Sequence, residues 1–185
     1  MNYLKNTDNF KKAIKRAIEH GACESAMLKL KNMKTIEEFK KHEDAPEWCY
    51  WFARKLGRRV YEFEPIIKTS ADYSYYYAKN IIKERCRELE PSIKKDADYS
   101  YLYAKNIIKE RCGEFEPIIK TDAESAYYYV KDIIKKRCKY FEPIIKTSSF
   151  YSNRYAIDVV KKRCRELEPI IKKMQITGAA IKIFS

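Results

Sequence analysis

The chain reads as an all-α solenoid of stacked two-helix repeats with a period of 26 residues, preceded by a helical cap. Three observations predict it. The stretch AKNIIKERCRELEPSIKK at Ala78 returns as AKNIIKERCGEFEPIIKT at Ala104, VKDIIKKRCKYFEPIIKT at Val130 and AIDVVKKRCRELEPIIKK at Ala156, always 26 residues on; a fixed period of this size marks a repeat architecture. Only four glycines and six prolines punctuate 185 residues, too few for an all-β chain. Within each copy the apolar residues recur at helical spacing behind a capping residue.

The first 43 residues fall outside the period and predict an N-terminal helical cap. Residues 8–20 place Phe10, Ala13, Ile14, Ala17 and Ile18 on one helix face, and Gly21 stops the helix. Cys23 to Met33 is a second apolar helix, and Thr35 with Glu38 forms a capping box for a third.

Five repeats are readable over residues 44–173. The first, Asp44 to Thr69, ends in Glu64-Pro65, 26 residues before Glu90-Pro91. Its Ala53 lies only 25 before Ala78, so this copy is one residue short near Gly57. Asp44 and Glu47 read as its capping box, with Pro46 in the first turn. In the later copies Ser70, Asp96, Asp122 and Ser148 are the expected N-caps.

Helix A then runs from about Ala71 to Arg85 in the clearest copy, with positions 74, 77, 78, 81, 82 and 85 on one broad face. Tyr73 and Tyr75 widen that face, which predicts packing on two sides. Helix B, about Arg87 to Lys95, offers Leu89, Ser92 and Ile93 to the core, where other copies have Ile118, Ile144 and Ile170 at the serine position. Pro91 stands early in helix B, where a missing N–H is tolerated. So short a helix needs neighbours, and stacking the copies makes their apolar faces one core. Residues 174–185 are expected to cover the open end of the last repeat.

Cys86, Cys112, Cys138 and Cys164 form a column. Stacked helices lie about 8–10 Å apart, and a disulfide needs Cα atoms within about 7 Å, so the column is not expected to cross-link. It reads as small buried hydrophobes. No Cys-x-x-Cys is present to suggest zinc or thioredoxin-like chemistry.

The net charge of +13 favours solubility and attraction to polyanions. No apolar run reaches membrane-spanning length, and the N-terminus lacks the apolar stretch of a signal peptide, so a soluble cytoplasmic protein with no membrane partner is expected. Dinucleotide, P-loop and His-Glu-x-x-His motifs are missing. His20 beside Gly21 reads as a cation at a helix C-terminus. The columns Arg85, Arg111, Arg137, Arg163 and Glu64, Glu90, Glu116, Glu142, Glu168 read as an ion-pair ladder tying each repeat to the next, because an enzyme needs one site and not five equal ones. No catalytic residue, cofactor or metal is expected.

A solvent stripe on helix A carries the candidate binding residues. Position 76 reads Tyr76, Leu102, Tyr128, Arg154; position 79 reads Lys79, Lys105, Lys131, Ile157; position 83 reads Lys83, Lys109, Lys135, Lys161. The first copy adds Trp51, Arg54 and Arg58. Aromatics beside spaced cations suit a protein interface, and they equally suit single-stranded nucleic acid. Acidic residues at helix starts and lysines toward helix ends also fit ordinary complementarity to the helix dipole. The repeat from Asp96 to Thr121 has a net charge of −1, with the excess of cations at the two ends of the chain, which argues against a long RNA groove.

The string Ala-x-x-Ile-Ile-x-x-Arg-Cys-x-x-x-Glu-Pro-x-Ile resembles short helical repeats of uncharacterised bacteriophage and prophage proteins, in which Tyr-Ala precedes an aliphatic pair, an arginine and Glu-Pro. The resemblance covers residues 44–173. It departs in having cysteine where that family has tryptophan, and Val60 there in the first copy. It implies a viral origin, hence the cytoplasm of a host cell, and an anti-defence purpose such as anti-CRISPR activity. It implies no catalytic residue. The expected function is a non-enzymatic scaffold recognising a host protein or ribonucleoprotein, with direct RNA or DNA binding by the basic surface as the alternative.

Overall fold

A computed structural model describes residues 3–161 and 164–170. Every regular element among them is helical. The chain divides into two compact units, residues 1–92 and 93–185.

In the first unit α1 (Thr7–Glu19) packs on α2 (Glu24–Asn32), and α3 (Ile36–Lys41) packs on α4 (Ala45–Leu56). α1 is capped by Asn6, whose side chain accepts from the Asn9 N–H at 2.9 Å, and it ends where Gly21 turns left-handed at φ 80°. The capping box of α3 forms. Thr35 Oγ1 accepts from the Glu38 N–H at 3.1 Å, and the Glu38 carboxylate reaches back to the Lys34 N–H at 2.7 Å. The box expected at Asp44 does not form. Asp44 is right-handed helical (φ −81°, ψ −1°) rather than extended, so its carboxylate is turned from the helix amides and takes Lys29 Nζ at 2.6 Å instead.

α5 (Glu64–Ile67), α6 (Ala71–Tyr77) and α7 (Glu90–Ile93) follow, the divide between the units falling within α7. The second unit continues with α8 (Ala97–Tyr103), α9 (Glu116–Ile119), α10 (Ala123–Tyr129), α11 (Glu142–Ile145) and α12 (Ser149–Tyr155), and α10 packs on both α8 and α12. Ser70, Asp96, Asp122 and Ser148 cap α6, α8, α10 and α12 with their side chains, as their residue types predict.

Helix A ends earlier than its apolar pattern predicts. After α6, α8, α10 and α12 the chain continues for five residues as π-helix (Ala78–Ile82, Ala104–Ile108, Val130–Ile134 and Ala156–Val160) and stops at a lysine. Arg85 and Cys86 therefore lie in the connection, off the helix. The lysine N–H bonds five residues back, Lys83 to the Ala78 carbonyl at 2.7 Å and likewise in the other copies. A π turn is an α-helix with one inserted residue. The first copy lacks it: the Gly57 N–H bonds to Ala53 and Arg54 in ordinary helical fashion. The one-residue shortfall near Gly57 is thus the missing π insertion.

Helix B is likewise shorter than expected. It is a single turn, Glu90–Ile93 in the copy where Arg87 to Lys95 was anticipated. In α5, α9 and α11 the equivalent proline occupies the first or second helical position, and after α7 the Asp96 N–H bonds to Ile93 O at 3.2 Å as the next cap begins.

Leu89, Ser92 and Ile93 are buried as anticipated. Ser92 Oγ has no hydrogen-bond partner. An unpaired buried hydroxyl costs roughly 1–3 kcal/mol, and the other copies hold isoleucine at this position. Ser92→Ile is expected to stabilise the protein by about 1–2 kcal/mol in denaturant titration.

Candidate partner-binding face

The tyrosine column is a set of buried latches. Tyr77 Oη accepts from the Val60 N–H at 2.7 Å and donates to the Val60 carbonyl at 3.2 Å. Tyr129 Oη accepts from the Cys112 N–H at 2.9 Å, and Tyr155 Oη from the Cys138 N–H at 2.8 Å. Each latch reaches 17 residues back, from one helix A to the connection that precedes it. Tyr103 is equally buried, its ring 5.4 Å from that of Phe115.

Burial pushes the hydroxyls of Tyr77, Tyr129 and Tyr155 up to about 12. Their ionisation is raised above that of the unfolded chain, so their contribution is complete below pH ~10 and is lost as pH climbs from there toward 12. Alkaline titration is expected to unfold the protein cooperatively in that window, with helix circular dichroism and tyrosinate absorbance changing together.

The arginine and glutamate columns do pair, but within one repeat. Arg85, Arg111 and Arg137 each present Nε to the carboxylate five residues on, Glu90, Glu116 and Glu142, at 2.6, 2.6 and 2.7 Å. They clamp the connection between helix A and helix B instead of joining repeats, because the π turn ends helix A before the arginine. Arg59 with Glu64, also 2.6 Å, is the first copy's clamp. Arg59 stands 26 residues before Arg85, in the same register that matches Val60 to Cys86. Secondary reaches to the following copy do exist, from Arg59 Nη2 to Cys86 Sγ at 3.7 Å and from Arg137 to Glu166. Arg163 lies outside the described residues, and Glu168 is half-buried.

The lysines of the stripe divide into two kinds. Lys105 Nζ sits 2.7 Å from Asp132 and 3.0 Å from Tyr101 Oη; Lys131 Nζ sits 3.0 Å from Asp158 and 3.1 Å from Tyr127 Oη. Both tie one repeat to the next. Burial would raise the carboxyls of Asp132 and Asp158, but the lysine and tyrosine hydrogen bonds outweigh it and hold them below the ordinary range. Lys79 lies 5.5 Å from the Tyr75 ring centroid. The aspartates carried no repeat signal, since the second and third repeats have Asn80 and Asn106 there.

Lys83, Lys109, Lys135 and Lys161 differ. All four are exposed, and none makes a side-chain hydrogen bond or ion pair among the described residues. Each is left-handed, with φ 63°, 62°, 59° and 55°. The first copy has Gly57 in the same conformation at the equivalent place, φ 63°. Glycine adopts this region freely, whereas an L side chain strains there.

The stripe's aromatics are only partly available. Tyr76 is 36% exposed and packs near Tyr50 and Tyr75. Tyr128 is half-buried, stacked 5.9 Å from Tyr101. Arg154 is exposed and covers Phe150, itself 49% exposed and not anticipated from the pattern. Arg54 is exposed, while Trp51 is half-buried in the wall of an apolar cavity and is not on the outer stripe.

All six cysteines are free. Among the described residues no group of three or more His, Cys, Asp or Glu side chains is arranged to hold a metal, and no helix is long and apolar enough to cross a membrane. No protein-family model, curated protein or solved structure matches the chain.

Proposed function

We propose that the protein is a non-enzymatic scaffold of stacked two-helix repeats that recognises an acidic protein surface through the left-handed lysines ending its long helices. The observation that carries this reading is the conformation of Lys109, Lys135 and Lys161. Glycine fits that backbone better, as Gly57 illustrates, yet three successive repeats of the second unit hold lysine there. Neighbouring positions have drifted: the residue after the cysteine reads Gly113, Lys139 and Arg165. A cation held in a strained conformation, exposed and unpaired, is a group kept for something outside the chain. Lys105 and Lys131 are already engaged by Asp132 and Asp158, whereas the left-handed lysines are available.

A protein partner fits better than a nucleic acid. Glu110 directly follows Lys109, and the repeat that holds them is net acidic, so a continuous phosphate backbone would meet interruptions. A partner with spaced carboxylates would not, and the exposed Arg154–Phe150 pair supplies an anchor of the kind found at protein interfaces. A role against host defence is consistent with such a scaffold and rests on the resemblance to phage repeats alone.

The test is affinity capture from lysate, with the wild-type chain and a Lys109→Gln, Lys135→Gln, Lys161→Gln variant as baits. A protein held by the first and lost by the second is the expected result. Labelled single-stranded RNA binding submicromolarly at near-physiological salt, with a steep salt slope removed by the same substitutions, would replace this reading with the nucleic-acid one.

A further inference from the structure

The first unit contains a partly open apolar cavity of about 280 Å³ lined by α1, α2, α3 and α4, with Leu4 and Phe63 beside them. We infer that it is a binding site for a small, uncharged, flat aromatic molecule. This inference is independent of the partner-binding face.

The lining mixes aromatic, aliphatic and small side chains. Beside the bulkier Phe10, Ile14 and Leu30, α1 and α2 contribute Ala13, Ala17 and Ala26, where larger side chains would close the space. Each has its Cβ in a buried face, so the absence of bulk there is what leaves the room. α3 and α4 contribute Phe39, Trp48, Trp51 and Phe52. These rings lie near-parallel in pairs: Trp48 with Phe39 at 6.0 Å and 23°, Trp51 with Phe52 at 6.4 Å and 18°. Aromatic rings beside residues small enough to leave room offer a flat ring a surface to stack on.

Charge narrows the class of ligand. The chain carries 39 lysines and arginines, and among the described residues none of them lines the cavity. Among the described residues the one charged lining residue is Glu47, which is exposed and stands at the rim. An anion such as a fatty acid would meet a carboxylate and no cation. The Cys49 thiol in the wall is pushed up by burial and stays protonated, so it adds no charge. The volume is roughly twice that of an engineered apolar cavity of about 150 Å³ that takes benzene, room for one or two fused rings. An apolar cavity of this kind gains dispersion contacts by being filled.

Trp48 and Trp51 are the only tryptophans in the chain, and both line the cavity, so intrinsic fluorescence reports on it directly. The test is titration of the full chain, at neutral pH, with 1-naphthol, a flat two-ring probe that is uncharged there and that the net positive charge does not attract. Saturable binding of one probe per chain, with tryptophan quenching and a rise in thermal midpoint, is expected. Ala13→Leu and Ala26→Leu fill the space from different helices. Whichever variant remains folded by circular dichroism should bind the probe at least tenfold more weakly, with an unchanged or higher midpoint in the absence of probe. No saturable binding to the wild-type chain overturns the inference, as does undiminished affinity in a folded, filled variant.

Discussion

Tyr129→Ala is expected to destabilise the protein by about 4 kcal/mol, the loss typical of deleting a large buried aromatic side chain. Tyr129 is fully buried, its ring lies 5.4 Å from Phe141, and its hydroxyl accepts the Cys112 N–H. The substitution opens a cavity and also orphans a backbone donor, since Cys112 itself is buried. Tyr129→Phe separates the two effects. It keeps the ring and removes only the latch, so about 1–2 kcal/mol should be lost. Tyr140→Phe, at an exposed ring over which Lys120 lies at 4.0 Å, should stay within about 0.5 kcal/mol of wild type. Urea titrations of the three variants, with midpoints and slopes compared, test the series. Equal losses at Tyr129→Phe and Tyr140→Phe would mean the latch contributes nothing particular.

Replacing Lys109, Lys135 and Lys161 together with glycine is expected to act in the opposite direction. A left-handed L residue is strained by roughly 1–2 kcal/mol, and glycine removes that strain while adding about 0.5–1 kcal/mol of unfolded-state entropy. The net gain is about 0.5–1 kcal/mol per site, or about 1.5–3 kcal/mol for the three if they act independently. For a chain of this length each kcal/mol raises the thermal midpoint by about 2–4 °C. A stabilising change at surface positions is informative because lysine has been held there in every copy that has the π turn. Proteins retain strained residues where function requires the side chain.

Much of the local architecture was legible in the sequence. The period, the four N-caps, Gly21 as a stop and the buried Leu89, Ser92 and Ile93 all follow from residue type and spacing, since capping and burial are local or face-specific preferences. The end of helix A was not legible. The face pattern carries through Ile81 and Ile82 to Arg85, and nothing in it distinguishes a fourth α-helical turn from a π turn closed by a left-handed lysine. The one clue was the residue missing near Gly57, which reads as a deletion until the hydrogen bonds reveal an insertion in the other copies. The same shift moved Arg85 and its equivalents into the connection, so their pairing with glutamate is internal to each repeat. On the candidate face, the lysines that the wheel places toward solvent are exposed, but the wheel cannot tell engaged cations from available ones. That distinction depends on Asp132 and Asp158 in the following repeat, which have no equivalents in the second and third repeats.

The measurement that bears most directly on the proposed role of the left-handed lysines uses the triple glycine variant, with its denaturation midpoint and its capture of partner proteins determined side by side with wild type. A higher midpoint together with loss of the partner that wild type retains is the predicted result. A lower midpoint, or a partner held undiminished by the stabilised variant, would contradict the claim that these lysines are kept, against their conformational preference, for binding.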